Sequence, residues 1–151
     1  MVKLTKRAEN LLLLIWIQAF VAMTGSLFYS EIMGYLPCEL CWYQRILMYP
    51  LVVIYGIAAI KKEINMALPG IILSGIGMLV SAYHYLIQKV PALQEIGGSC
   101  TGGVPCNVVY VNYFGFITIP FLALMAFIII FVLHLALLKE LAKEKGGVNN
   151  G

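Results

Sequence analysis

Cys38 and Cys41 lie in the run Leu-Pro-Cys-Glu-Leu-Cys-Trp-Tyr-Gln-Arg, at the mouth of a long apolar stretch, and Cys100 and Cys106 form a second close pair in the only long polar loop. Two cysteines three apart at a helix start can close a small ring. The helix N-terminus also stabilises a thiolate through its dipole and free N–H groups, so such a disulfide is easily reduced and re-formed. Two pairs of this kind beside a bilayer point to electrons moving between thiols and an acceptor in the membrane. The duller readings are a static disulfide or half of a zinc site. Zinc would need Cys100 and Cys106 to converge on the same metal, at a spacing wider than usual. No metal is expected. Trp42 stands where the Cys-x-x-Cys-His haem attachment pattern needs a histidine, which excludes that pattern.

Arg45 follows Cys41 by four residues, so on a helix it occupies the same face one turn deeper. A charge within a span is costly and marks a functional candidate. Its guanidinium could hold an anionic or carbonyl-bearing group beside the Cys41 sulfur; the alternative is an interfacial arginine snorkelling to phosphate. His84 falls near the end of the third apolar stretch, at a depth similar to that of Arg45. A neutral imidazole there could bond a ligand carbonyl or pass a proton, or simply pack against Gln88 or Ser81. His134, far from the cysteines, is read as structural. Most aromatics, Trp16, Trp42, Tyr43, Tyr83, Tyr85, Tyr110 and Tyr113 among them, fit an ordinary interfacial belt.

The elements that must position these residues follow from composition. Of 151 residues, 62% are hydrophobic and 11% charged, and the mean hydropathy is +0.91. A soluble domain carries roughly 25% charged residues, so lipid must be the main solvent here. A net charge of +3 says little about nucleic acid, and no nucleic-acid partner is expected. Four stretches, about 10–30, 41–60, 67–88 and 114–138, approach or exceed the ~20 residues that cross a bilayer as helix. The first begins with Lys3, Lys6 and Arg7 but runs apolar past a signal-peptide core, so a retained span is expected.

Short connections make consecutive helices antiparallel neighbours. The expected fold is therefore all-α: a polytopic membrane protein, a four-transmembrane-helix bundle forming a single integral membrane domain over residues 1–151. Its outer loops are 31–40 and 89–113. Eight of the ten basic residues (Lys3, Lys6, Arg7, Lys61, Lys62, Lys139, Lys143 and Lys145) fall on one side of these spans. By the positive-inside rule both termini are cytoplasmic, and all four cysteines face the compartment where disulfides persist. Gly97, Gly98, Gly102 and Gly103 make the backbone around Cys100 permissive. The closing Gly-Gly-Val-Asn-Asn-Gly is expected to be disordered.

The motif at 37–45, Pro-Cys-Glu-Leu-Cys-Trp-Tyr-Gln-Arg, the Cys100/Cys106 pair and the four-span topology together resemble the DsbB family across nearly the whole chain. The resemblance implies a cell-membrane, quinone-dependent thiol–disulfide oxidoreductase. Such a protein re-oxidises an extracytoplasmic thioredoxin-like oxidase of the DsbA or BdbD type and passes the electrons to quinone. It implies that Cys100 is attacked by the partner, that Cys106 exchanges with Cys38, that Cys41 touches the quinone and that Arg45 steadies the quinone oxygen, with His84 near that pocket. The loop pair is only six positions apart, whereas better-known members space it far more widely. That resembles the short, BdbC-like Gram-positive branch and makes menaquinone, rather than ubiquinone, the expected quinone. A monomer is expected.

Two other readings compete. A vitamin-K-epoxide-reductase-type enzyme also couples loop cysteines to quinone, but places its active Cys-x-x-Cys late in the chain. A membrane scaffold stapled by structural disulfides needs neither Arg45 in a span nor glycines around Cys100. Because each pair is close in sequence, separate Cys38–Cys41 and Cys100–Cys106 disulfides are expected in the resting state.

Overall fold

The computed structural model describes residues 4–97 and 103–148. Helix α1 (Lys6–Leu27) continues into a π-helical turn at Phe28–Ile32. It is followed by α2 (Glu39–Lys61), a 3-10 turn (Ile64–Ala67), α3 (Leu68–Lys89), the short α4 (Pro91–Gly97) and α5 (Ile119–Val148). Among the described residues there is no β-strand. Four helices are long and apolar enough to cross a membrane: Lys6–Ile32, Glu39–Lys61, Leu68–Lys89 and Ile119–Glu144. The chain is an all-α, multi-pass membrane protein.

The four long helices close a ring in which α1 packs on α2, α2 on α3, α3 on α5 and α5 back on α1. The inward faces are read directly from helical periodicity. Ala8, Leu12, Ile15 and Ala19 of α1 are fully buried at spacings of four, three and four. Bulky apolar side chains such as Leu79, Ile60 and Ile72 point outward, as a lipid-facing surface requires. On α3 the inward stripe is small and polar: Gly70, Ser74, Gly77, Ser81, His84 and Gln88. Small residues let helices approach closely in lipid, where no hydrophobic force drives them together. The stripe accommodates large partners. A Cβ at Gly70 would stand 2.5 Å from the Tyr55 hydroxyl, and one at Gly77 would run into the Phe127 ring. His134 is buried against Tyr55, with a hydrogen bond between the Tyr55 hydroxyl and its Nδ1.

Antiparallel packing gathers most of the described basic residues, Arg45 and Lys89 excepted, at one end. There Lys62 bonds Glu9 at 2.9 Å and the backbone N–H of Thr5 donates to Glu144 Oε1. The described cysteines lie at the opposite end.

Three local features differ from the sequence expectation. The last span starts at Ile119 rather than 114, because Tyr113 and Ile117 pair through two backbone hydrogen bonds around a tight turn. Phe114 and Gly115 both take positive φ in that turn (54° and 81°), which a helix does not permit. The same helix runs on to Val148, so Gly146–Val148 are helical and not disordered; residues 149–151 lie outside the described residues. The short α4 also occupies part of the expected loop, opened by Pro91, a residue suited to a first helical turn.

Candidate functional site

Cys38 is the N-cap of α2, with extended backbone, and Cys41 lies in the first turn. Their sulfurs are 3.2 Å apart and both are free thiols. The expected Cys38–Cys41 disulfide is therefore not formed in this structure. A covalent S–S bond of ~2.05 Å would need the sulfurs to close by about 1.2 Å, and the thiols share a hydrogen bond instead. Cys106, by contrast, is fully buried and disulfide-bonded. Cys100, together with Gly98 and Gly102, lies outside the described residues.

His84, on the inward stripe of α3, joins the two cysteine-bearing segments. Its Nε2 is 3.1 Å from the backbone carbonyl of Cys106 and 3.6 Å from Cys38 Sγ, while its Nδ1 is 2.9 Å from Gln44 Nε2. A carbonyl can only accept, so Nε2 carries the hydrogen and directs it between Cys106 and Cys38. The sulfurs of Cys38 and Cys41 and a nitrogen of His84 lie within 4.8 Å of one another. With Nε2 protonated, however, this is a hydrogen-bonded group rather than a ligand set. One turn along α3, Gln88 donates to the Val108 carbonyl at 2.9 Å, and Asn107 donates to the Gln94 carbonyl of α4 at 3.2 Å. Together these bonds tie the segment after Cys106 to α3 and α4, beside Cys38.

Arg45 faces another way. Its Nε and Nη2 donate to Ser26 Oγ (3.1 Å) and to the Ser26 carbonyl (3.3 Å), and its guanidinium lies 5.5 Å from the centre of the Trp42 ring. Anchored to α1, Arg45 lines a cavity of about 290 Å³ between α1, α2 and α5. Cys41 and Gln44 share that wall, facing apolar residues that include Leu122, Ala126 and Phe127. Tyr29, Tyr35 and Tyr110 stack in series across its rim, with ring centres 6.2 and 5.0 Å apart. This aromatic ladder fastens the loop after Cys106 over the cavity. Its first member comes from the π-helical turn ending α1, a distortion common at functional sites.

A second, smaller cavity of about 20 Å³ lies among Cys38, Cys41, His84 and Thr118. Cys41 is the sulfur that borders both spaces. The sequence placed Arg45 beside Cys41, and both line the larger cavity. It placed His84 by the same pocket, whereas His84 is on the Cys38–Cys106 side. Sequence reasoning missed Ser26 and Gln44. Each is a polar residue inside an apolar span, which was the available signal.

Cys38 lies just before the span, and its thiol is driven well below the ordinary range, to about 4. Once ionised it accepts a hydrogen bond from Cys41, the largest cause. Burial opposes the shift, and His84 adds to it. The anion is the form present above that value. The far-ultraviolet thiolate absorbance of the reduced protein should therefore persist from pH 7 down to about pH 5 and disappear near pH 4. Absorbance that appears only above about pH 8 would show an ordinary thiol.

A family model described as "Disulfide bond formation protein DsbB" matches residues 7–137. The "Probable disulfide formation protein" of Oceanobacillus iheyensis is 72% identical over 144 residues, covering 95% of this chain and 99% of the relative. The "Probable disulfide formation protein C" of Halalkalibacterium halodurans is 53% identical over 137 residues, covering 91% and 99%. The "Disulfide bond formation protein C" of Bacillus subtilis is 53% identical over 124 residues, covering 82% and 88%. No solved structure matches the chain. With a reduced dithiol and a disulfide-bonded Cys106 held together by one histidine in a four-span bundle, this chain belongs to the DsbB family of disulfide bond formation proteins, membrane thiol–disulfide oxidoreductases.

Proposed function

We propose that the protein re-oxidises an extracytoplasmic thioredoxin-like oxidase of the DsbA or BdbD type and passes the electrons to a membrane quinone, supporting disulfide formation in exported proteins. The observation that carries this reading is the place of Cys41. It touches Cys38 on one side and borders the cavity of Arg45 on the other, so thiol exchange and a ligand in that cavity meet at one sulfur.

The exchange steps balance as follows. The partner's thiolate attacks Cys100 of a Cys100–Cys106 disulfide, forming a mixed disulfide and releasing Cys106 as thiolate. The partner's second thiolate resolves that bond, leaving the partner oxidised and Cys100 free. Cys106 then attacks Cys38 of a Cys38–Cys41 disulfide and releases Cys41. Cys100 attacks Cys106 in turn, closing the loop pair and releasing Cys38. Two electrons now reside on Cys38 and Cys41. Free Cys38 and Cys41 thiols beside a disulfide-bonded Cys106 agree with that stage.

The larger cavity suits a quinone head group. Ligand sites are mostly apolar clefts with a few placed polar groups, upward of roughly 300 Å³. This one has an apolar wall, an aromatic rim and Cys41, Gln44 and Arg45 close together. A bound quinone supplies a two-electron, two-proton acceptor. Arg45, fixed by Ser26, presents positive charge at the wall beside Cys41, which favours developing negative charge there. Menaquinone is the quinone proposed, from the likeness to the short Gram-positive branch. The basic end of the bundle is assigned to the cytoplasm and the cysteine end to the outside. A monomer suffices, since one chain carries all four cysteines.

The test is to mix detergent-purified protein with an excess of a reduced DsbA-type oxidase and titrate free thiols with and without a menaquinone analogue. Catalytic loss of the oxidase's thiols only when quinone is present is the expected result. A static scaffold would stay indifferent to quinone, and that outcome would end this reading.

A further inference from the structure

Gln44 borders the larger cavity, but it is buried and its Nε2 stands 2.9 Å from His84 Nδ1, on the other side of the helix pair. The Cys106 carbonyl requires a hydrogen on Nε2 of that ring. Whether the ring is neutral or cationic then depends on Nδ1. A carboxamide can present either its N–H or its oxygen, and here the nitrogen faces Nδ1. An N–H opposite Nδ1 is compatible only with an unprotonated Nδ1, hence with a neutral ring.

We propose that Gln44 is a positioning residue that keeps His84 as the neutral Nε2–H tautomer, with its one hydrogen aimed at Cys38 Sγ and the Cys106 carbonyl. The neutral form suits the place. His84 is about 1% exposed, and a buried cation beside Cys38 would be stabilised only while the sulfur is ionised. It would become an uncompensated charge each time Cys38 enters a disulfide. A neutral donor serves both states: it stabilises the Cys38 thiolate and still bonds the Cys106 backbone when the sulfur is covalently paired. Second-partner hydrogen bonds commonly fix the tautomer of a working histidine in this way.

The other groups around this centre leave Gln44 as the determinant. On α2, Cys41 bonds Cys38, Arg45 is engaged by Ser26, and the Glu39 carboxylate accepts from Tyr43. On α3, Lys89 Nζ donates to the Gly115 carbonyl, away from the ring. The phenols of Tyr29 and Tyr35 lie across the larger cavity, and Tyr110 borders both cavities. At the start of α5 the small cavity is closed by Thr118, Ile119 and Pro120, none of which titrates near neutrality.

The inference rests on Cys38 acting as an ionised thiol, as proposed above, but its readout needs neither quinone nor partner. The chain has two histidines, so 15N-histidine labelling gives two rings, which His134→Gln assigns. In the reduced protein at neutral pH, His84 should show a protonated Nε2 and an unprotonated Nδ1. Gln44→Glu places an acceptor at Nδ1 in the same volume and should leave both nitrogens of His84 protonated. Gln44→Leu removes the anchor and should raise the midpoint of the Cys38 thiolate absorbance by about one pH unit, the scale of one hydrogen bond. A wild-type ring already protonated at Nδ1 would overturn the proposal. So would a Gln44→Glu protein with an unchanged His84 pattern, or a Gln44→Leu protein with an unchanged Cys38 midpoint. Failure of the quinone assay with the expected 15N pattern would instead count against the proposed function and leave this inference standing.

Discussion

A reduced partner oxidase whose second cysteine is replaced by serine should be trapped by the wild-type protein as a mixed disulfide through Cys100, with Cys106 released as thiolate, and none should form through Cys106. Peptide mapping of the complex from a non-reducing gel should show an all-or-none preference, because it depends on which sulfur a docking thiolate can reach. Thiol–disulfide exchange requires the attacking sulfur to approach along the bond, so access selects the site. Cys106 is fully buried, with its carbonyl on His84 and the residues after it tied to α3 and α4. An external protein cannot attack there without first pulling the segment from the bundle. The attack is therefore assigned to Cys100. With the partner's second cysteine replaced, the mixed disulfide at Cys100 lacks the thiolate that would resolve it. Trapping through Cys106 instead would reverse the assignment and imply that the loop leaves α3 during docking.

Arg45→Met should retain the fold and thiol exchange with the partner while raising the quinone KM roughly 10- to 100-fold, the scale of one charged hydrogen bond. The side chain lines the larger cavity with Cys41, and Ser26 holds two of its nitrogens. Methionine keeps the stem and its apolar packing but loses the planar fork. Lysine should recover only part of the effect, since a point charge on a flexible chain cannot make two directed bonds to Ser26 and still face the cavity. Wild-type quinone kinetics in the methionine variant would return Arg45 to an interfacial or purely structural role. Ser26→Ala offers a milder comparison and should move the same parameter in the same direction, because it loosens the guanidinium without removing its charge.

The four spans, their antiparallel order and the segregation of basic residues to one end were legible in the chain itself. These depend on local quantities: the length of each apolar run, the absence of water to satisfy backbone groups in lipid, and the brevity of the connections. The proximity of Cys38, Cys41 and Arg45 was equally legible, because residues spaced by three and four share a helix face whatever surrounds them. The helix boundary at Ile119 was not. It is set by a turn in which a phenylalanine adopts positive φ, a conformation its own preferences oppose.

What tertiary structure alone decided is which partners each polar side chain meets across the bundle. Arg45 could have snorkelled to the interface, but packing of α1 against α2 brings Ser26 to it instead. His84 has the same depth as Arg45 in the sequence reading, yet α3 and α2 meet at an angle and register that turn it toward Cys38, Cys106 and Gln44. Residues 40 and 22 positions apart in the chain become hydrogen-bond partners only once the helices have docked. That rotational register comes from close packing along the small-residue stripe of α3. It is a property of facing surfaces rather than of any one segment, so spacing within one helix could not specify it.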